Sequence, residues 1–329
     1  MPSEIISAIA DTVTPASRAQ ALAMGQRLEK RGGRQLGALY ELATALASAR
    51  HSPHPQVAQK RLVICCADHG VADPGVDLGS DSPTCAGLRQ VVEGKAAVAS
   101  LASSAKTQLL LVDCGVRGAD RFDLGPGVID LRITNGSGDI RRGPALNIGD
   151  AARAIQTGVA LCYSLADDGL DVLALGSIAP GGYPSTAALI ATLTGTPAGD
   201  IDDGDDAVAA ALAANPVTAD DPLEALAALG SCDVAMLAGL ILGAASINVP
   251  VVLDADATTA AALVAVGLAP GAAGYLIASH GGGNPAHRAA LTALQLTAVF
   301  DLGLAQGEGA GAAMILPFLD RAAELISAD

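Results

Sequence analysis

Two kinds of hydrophobic run alternate along this chain. One kind is short and continuous: Arg61 to Ala67 reads Arg-Leu-Val-Ile-Cys-Cys-Ala, and Gln108 to Asp113 reads Gln-Leu-Leu-Leu-Val-Asp. Runs without polar alternation predict strands buried on both faces, as in a parallel sheet. Asp171 to Gly176, Val249 to Asp254 and Gly274 to Ala278 repeat the pattern, and Val128 to Thr134 and Leu296 to Phe300 are further candidates. The other kind is longer, with apolar residues at helical spacing. It predicts helices over Ser17 to Lys30, Leu36 to Ala49, most of Ser82 to Ala105, Ile148 to Ala166, Thr186 to Leu193, Pro222 to Leu229, Val234 to about Ser246, Thr258 to Val266, Pro285 to Leu294 and Ala312 to Ile326. The stretch 50–60, with His51, Pro53, His54 and Pro55, reads as a linker.

Strands that alternate with helices call for an α/β fold, a parallel sheet covered on both faces, with a ligand crevice at the carboxyl ends of the strands. Polar residues gather where the strands end: Asp68 with His69, Asp113, Gly176 with Ser177, Asp254, and Ser279 with His280. The loop after Gly176 runs through Gly181 and Gly182 into a helix, and Asn135-Gly136-Ser137-Gly138-Asp139 is a loop whose amides are suited to an anion. No Gly-x-Gly-x-x-Gly follows the first strand and no Walker lysine follows a Gly-rich loop, which argues against dinucleotide and ATP sites.

One carboxylate stands out. Ala305 to Ala313 reads Ala-Gln-Gly-Glu-Gly-Ala-Gly-Ala-Ala, so Glu308 lies between Gly307 and Gly309 at the entrance of a helix. Glycines let the backbone approach a ligand. The helix dipole lowers the pKa of a carboxylate placed there and loss of water raises it; if desolvation wins, Glu308 is a general base near neutral pH. The plainer reading is a glutamate that only complements the dipole.

Bulk composition narrows the classes. The 329 residues are 51% hydrophobic but 2% aromatic, so the core is built from small aliphatic side chains with close backbone packing. A net charge of −15 argues against nucleic-acid and anionic-membrane partners. Val234 to Leu253 is twenty residues without charge, long enough to span a bilayer. Asn248 and Pro250 interrupt it, so a buried helix followed by a strand explains it better. The six cysteines form no C-x-x-C pair and predict buried free thiols in a reducing compartment, without zinc. Gly199 to Asp206 holds five aspartates without the ligand alternation or closing Glu of a calcium loop, and reads as a solvated turn. Met1 to Val13, with Glu4 and Asp11, lacks the apolar core of a secretory signal.

Cys66-Ala67-Asp68-His69-Gly70-Val71, Asn135 to Ile140, Gly230 to Asp254 and Gln306-Gly307-Glu308-Gly309-Ala310-Gly311-Ala312-Ala313 resemble, in this order and spacing, the nicotinate-nucleotide:dimethylbenzimidazole phosphoribosyltransferase family. The likeness runs from about Lys30 onward. It implies a Rossmann-like parallel sheet over 61–304, a smaller helical domain made from 1–60 and 305–329, and a cytoplasmic homodimer. It also implies transfer of the phosphoribosyl group of a nicotinate nucleotide to a benzimidazole nitrogen, giving the α-ribotide used as the lower ligand of cobalamin, with no metal and no cofactor. Glu308 takes the role of general base. Substrate contact is expected of Asp68, His69, Gly136, Ser137, Gly138, Gly176, Ser177, Gly181, Gly182, Asp254, Ser279, His280, Gly307 and Gly309. Ser82, Pro83 and Gln90 join them at the acceptor pocket if gaps are placed on either side; ungapped, Gly87 falls where the family has Gln.

The chain departs from the family pattern where phosphate is held. Gly-Glu-x-Gly-x-x-Asn-Thr-Thr is replaced by Gly176-Ser177-Ile178-Ala179-Pro180-Gly181-Gly182-Tyr183-Pro184, and the following lysine-bearing loop by Asp200 to Asp206. Carboxylates in place of a cation reverse the local field. Two hypotheses follow: a glycosyl-transferring enzyme whose substrates are small molecules, or a non-catalytic or altered-specificity homologue that binds a nucleotide, a base or an active paralogous subunit.

Overall fold

The computed structural model describes residues 2–30, 32–72, 82–118, 127–201, 206–282, 284–304 and 307–327. The chain begins with three helices, α1 (Pro2–Ala10), α2 (Arg18–Glu29) and α3 (Ala38–Ala49). It then enters β1 (Lys60–Ala67), α4 (Pro83–Val92), α5 (Ala97–Ser104), β2 (Gln108–Gly115), β3 (Val128–Asp130), α6 (Ile148–Asp167) and β4 (Val172–Ile178). Next come α7 (Tyr183–Thr194), α8 (Ala198–Ile201), α9 (Asp206–Ala214), α10 (Pro222–Leu229), α11 (Cys232–Ser246) and β5 (Val251–Leu253). The chain continues through α12 (Asp256–Leu268), β6 (Leu276–Ala278), α13 (Pro285–Ala293) and α14 (Ala310–Ser327).

The six strands form one parallel sheet in the order β3-β2-β1-β4-β5-β6. In the register, Val63 of β1 faces Leu110 of β2 on one side and Leu175 of β4 on the other. Successive strand residues point to opposite faces, and each face has its own core. Val63, Cys65, Leu173, Leu175, Val251 and Leu253 pack with α6, α7, α10, α11, α12 and, through Ile6, α1. Leu62, Ile64, Cys66, Val172, Ala174 and Val252 pack with α2, α3, α4, α5 and α14. Burial on both sides is why these strands carry unbroken apolar runs.

Among the described residues no helix is long and apolar enough to cross a membrane. The uncharged run from Val234 to Leu253 divides into α11, with Val234 to Ala245 buried, and the buried strand β5. The six cysteines are free and buried, and burial pushes the Cys162 and Cys232 thiols up to about 12.

Several boundaries differ from the sequence reading. Ser82 to Ala105 is two helices, interrupted where the Lys95 and Ala96 amides both donate to the Gln90 carbonyl. The run from Gly274 begins as a 3-10 helix over Pro270–Tyr275 before it extends into β6. Leu296 to Phe300 makes an isolated parallel bridge between Phe300 and His280. Helices α1, α8 and α9 lie where no helix was expected, and Asp202, Asp203 and Asp205 fall outside the described residues.

Candidate active site

The strand order reverses between β1 and β4, and that reversal opens a crevice at their carboxyl ends. Asp68 and His69 follow β1, and β4 ends in Ser177 and Ile178. The segment before α14 crosses this crevice, where the Ser177 N–H donates to the Gly307 carbonyl at 3.1 Å. Two glycines allow so close a crossing. A Cβ at Gly176 would stand 2.7 Å from the N and Cα of Gly309, and Gly309 itself has φ +90°, which an L side chain rarely adopts. Glu308 is thereby held over the strand tips. Its side chain is half-buried, and among the described residues its carboxylate has no hydrogen-bond partner.

Beneath Glu308 lies a cavity of about 280 Å³. Its walls are His69, Ser177, the turn from Ile178 to Tyr183, Thr186, Asp233, Asp256 with Ala257, and Gly307. Asp256, the first residue of α12, accepts the Thr186 hydroxyl at 2.6 Å and the Asn284 amide at 3.2 Å. Asp233, in the first turn of α11, is fully buried. It accepts the Ser177 hydroxyl at 2.7 Å, the Ser231 hydroxyl, and His69 Nε2 at 3.1 Å. Burial works to raise the Asp233 carboxyl, but the charge and hydrogen bond of His69 and the two hydroxyls outweigh it and hold the group below the ordinary carboxylate range.

Asp254, at the tip of β5, is fully buried and turned away from the cavity. Its two oxygens accept the Gly309 and Ala312 amides, both at 2.9 Å, and so tie the glutamate loop and the first turn of α14 to the sheet. Burial pushes its carboxyl up to about 7, against the opposing pull of the Ala312, Gly309 and Gly311 amides. Ser279 and His280 stand behind the same helix start. Ser279 Oγ and His280 Nδ1 share a 2.9 Å hydrogen bond, and a Cβ on Gly311 would meet the His280 ring. Burial and the neighbouring His287 lower the His280 ring to about 4, so it is neutral near pH 7.

Of the residues singled out in the sequence, His69, Ser177, Gly181, Gly182, Gly307 and Glu308 line the cavity together. Gly176 and Gly309 form the contact beneath them. Asp68 braces the site: its carboxylate accepts the Thr84 hydroxyl at 2.5 Å and the Arg117 amide at 2.7 Å. The 135–139 loop folds onto the Asp68 turn. Its Ser137 and Gly138 amides donate to the Asp68 and Ala145 carbonyls, Gly136 takes φ +78°, and Ser137 Oγ accepts the Gly70 amide. Those two amides are spent within the protein. Ser82 is the N-cap of α4, with Pro83 at its first turn, and Gln90 is exposed. From α4 it is Gly87 that approaches the cavity-lining Ile178.

Sequence reasoning did not single out Asp233, Asp256, Tyr183 or Thr186 as site residues. A signal for Asp233 existed, since it immediately precedes the twenty-residue uncharged run. For Asp256 the sequence offered only a weak signal, Val251 to Thr259 being like a phosphoribosyl-pyrophosphate loop but without its adjacent acidic pair and glycine. An acid in the first turn of a helix is otherwise ordinary dipole complementation.

A phosphoribosyltransferase family model matches residues 10–328. The nicotinate-nucleotide–dimethylbenzimidazole phosphoribosyltransferase of Roseiflexus sp. (strain RS-1) is 33% identical over 303 residues, 88% of this chain and 85% of that protein. The protein of the same name from Pseudomonas putida (strain KT2440) is 35% identical over 318 residues, covering 93% and 90%. The crystal structure of the nicotinate-nucleotide–dimethylbenzimidazole phosphoribosyltransferase from Thermus thermophilus superposes with a TM-score of 0.85 at 31% identity, covering 95% of this chain and 97% of that one. A near full-length match in sequence, joined to one in fold, places the chain in the nicotinate-nucleotide–dimethylbenzimidazole phosphoribosyltransferase family.

Proposed function

We propose that this chain transfers the phosphoribosyl group of a nicotinate nucleotide to a ring nitrogen of a dimethylbenzimidazole-type base, in assembly of the α-ribotide lower ligand of cobalamin. The observation that carries the reading is Glu308, a carboxylate without a partner among the described residues, held over a cavity at the sheet's switch point. A benzimidazole has one pyridine-type nitrogen and one N–H. The pyridine-type nitrogen attacks the ribosyl C1′, and the C1′–nicotinate bond breaks with its electron pair going to the nicotinate nitrogen. The N–H proton passes to Glu308, so the ribotide leaves neutral at the new base. The departing nicotinate ring needs no proton, because a pyridinium becomes a neutral pyridine as its bond to carbon breaks. One base therefore suffices for the step. Glu308 supplies it, and Ser177, Gly181 and Gly182 form the wall against which the donor lies. The same reading makes the protein a cytoplasmic homodimer, with 1–60 and 305–329 serving as its smaller helical portion.

The test is release of nicotinate from nicotinate mononucleotide in the presence of 5,6-dimethylbenzimidazole. The wild-type protein releases it with stoichiometric ribotide. Glu308→Gln lowers kcat by roughly 10²- to 10⁴-fold, the usual contribution of a positioned general base, with the melting temperature unchanged because Glu308 has no hydrogen-bond partner to lose among the described residues. No release by the wild type, or an undiminished rate in Glu308→Gln, overturns the reading.

A further inference from the structure

Among the described residues, one buried polar atom near the cavity is left without a partner: Nδ1 of His69. The ring is 2% exposed and lines the cavity. It cannot turn to hide this atom, because Nε2 is engaged by Asp233, itself fixed in full burial by Ser177 and Ser231. A buried nitrogen with no partner is costly, and a native protein that keeps one calls for a functional explanation. Nδ1 is aimed at the start of α7. A Cβ placed on Gly182, the N-cap of that twelve-residue helix, would stand 2.9 Å from both Nδ1 and Cε1 of the ring. A helix N-terminus favours negative charge.

The rest of the lining sharpens the question. Asp233, Asp256 and Glu308 are carboxylates, and no lysine or arginine is among the described lining residues. A nicotinate nucleotide brings a phosphate and a ring carboxylate into this surrounding. Something in the wall must offset them. The transfer already has the one proton acceptor it requires, so His69 is not needed as a second acid or base. Its Nε2 is committed to Asp233, so the ring's remaining polar atom, Nδ1, is the one left to meet a ligand oxygen.

We propose that His69, positioned by Asp233, donates from Nδ1 to an anionic oxygen of the donor beside the N-terminus of α7, and so determines that the enzyme takes an anionic nucleotide. This rests on the transfer reading above. The shared chemistry is an anionic oxygen, which either the phosphate or the pyridine carboxylate could provide.

The experiment compares three donors, nicotinate mononucleotide, nicotinate riboside and nicotinamide mononucleotide, with 5,6-dimethylbenzimidazole as acceptor, in wild type, His69→Ala and His69→Gln. His69→Gln keeps an amide donor for Asp233 and so guards the fold if His69→Ala does not survive. The expected result is a 10- to 100-fold rise in KM for nicotinate mononucleotide, with kcat and the acceptor KM within about threefold of wild type. Discrimination must collapse on one arm: against the riboside if phosphate is the contact, against the nicotinamide nucleotide if the carboxylate is. An equal loss with all three donors, a loss confined to kcat, or a shifted acceptor KM overturns the proposal. Thermal stabilisation by the same donors, read without acceptor, separates this failure from failure of the transfer reading. A wild type that binds nicotinate mononucleotide without turnover, with stabilisation lost in His69→Gln, refutes the transfer and keeps the anion contact. Unchanged stabilisation in the variant, or none in the wild type, refutes the contact.

Discussion

Two carboxylates separated by 54 positions in the chain, Asp254 and Glu308, meet at the start of α14, and only Glu308 lines the cavity. Glu308 faces the cavity, while Asp254 spends both oxygens on the amides that follow Glu308 and open α14. This division has a pH signature. Burial raises the folded-state carboxyl of Asp254 from 3.8 to about 7, so the folded protein holds a proton that the unfolded chain releases earlier. The resulting stabilisation is complete below pH 4 and is lost as pH rises through about 7, amounting to roughly 4 kcal/mol at most. His280, lowered to about 4, contributes in the opposite sense over the same range, so the reading is the difference between denaturant midpoints of wild type and Asp254→Asn. The wild type loses ground to the variant as pH rises from 4 to 8, and parallel profiles would refute it. At this scale the sequence reveals types better than roles. Glu308 was legible because a carboxylate between glycines in an apolar stretch is unusual. Asp254 was legible as a polar strand end, but nothing local tells whether such a residue faces a ligand or the backbone of a distant helix. Asp233 was illegible for the same reason, since its partner His69 lies 164 positions earlier.

Among the elements, α6 and α11 show what a core with few aromatics requires. The helices meet backbone to backbone: a Cβ on Gly158 would stand 2.2 Å from the Met236 carbonyl oxygen, and one on Gly239 would stand 2.0 Å from that of Ile155. Neither neighbour can move like a flexible side chain. Gly239→Ala therefore costs about 3 kcal/mol or more by overpacking, at the upper end for such changes. A lowered melting temperature, with KM values unchanged at 25 °C, checks it. The buried strands were legible because burial on both faces leaves an unbroken apolar run, and Pro222–Leu229 was legible to the residue because Asp221 caps it and Pro222 starts it. The short α8 and α9 were not, since the aspartate-rich stretch between them reads as a turn and masks the helix-forming alanines that follow it. The 3-10 stretch before β6 was not, because Gly274 and Tyr275 continue the apolar run without marking where the chain straightens.

Taken whole, the molecule carries 34 acidic against 19 basic side chains, and carboxylates also line its cavity. An anionic donor must approach against this field, and salt screens it over about 10 Å. The KM for nicotinate mononucleotide consequently falls several-fold between roughly 10 and 150 mM salt, while that for the neutral benzimidazole stays level. A donor KM that rises with salt would mean that local cationic contacts outweigh the global charge. The three-layer fold followed from the strand and helix order; the reversal between β1 and β4 did not, because strand order is a property of pairing between segments far apart in the chain. Helix α14 has a double employment here. Its buried face, from Ala312 to Ile326, seals one side of the sheet, and its first turn is tied to the loop that carries Glu308. Warming that loosens this helix thus silences the chemistry in the same event that wets the interior, leaving little room for a species that is intact yet idle.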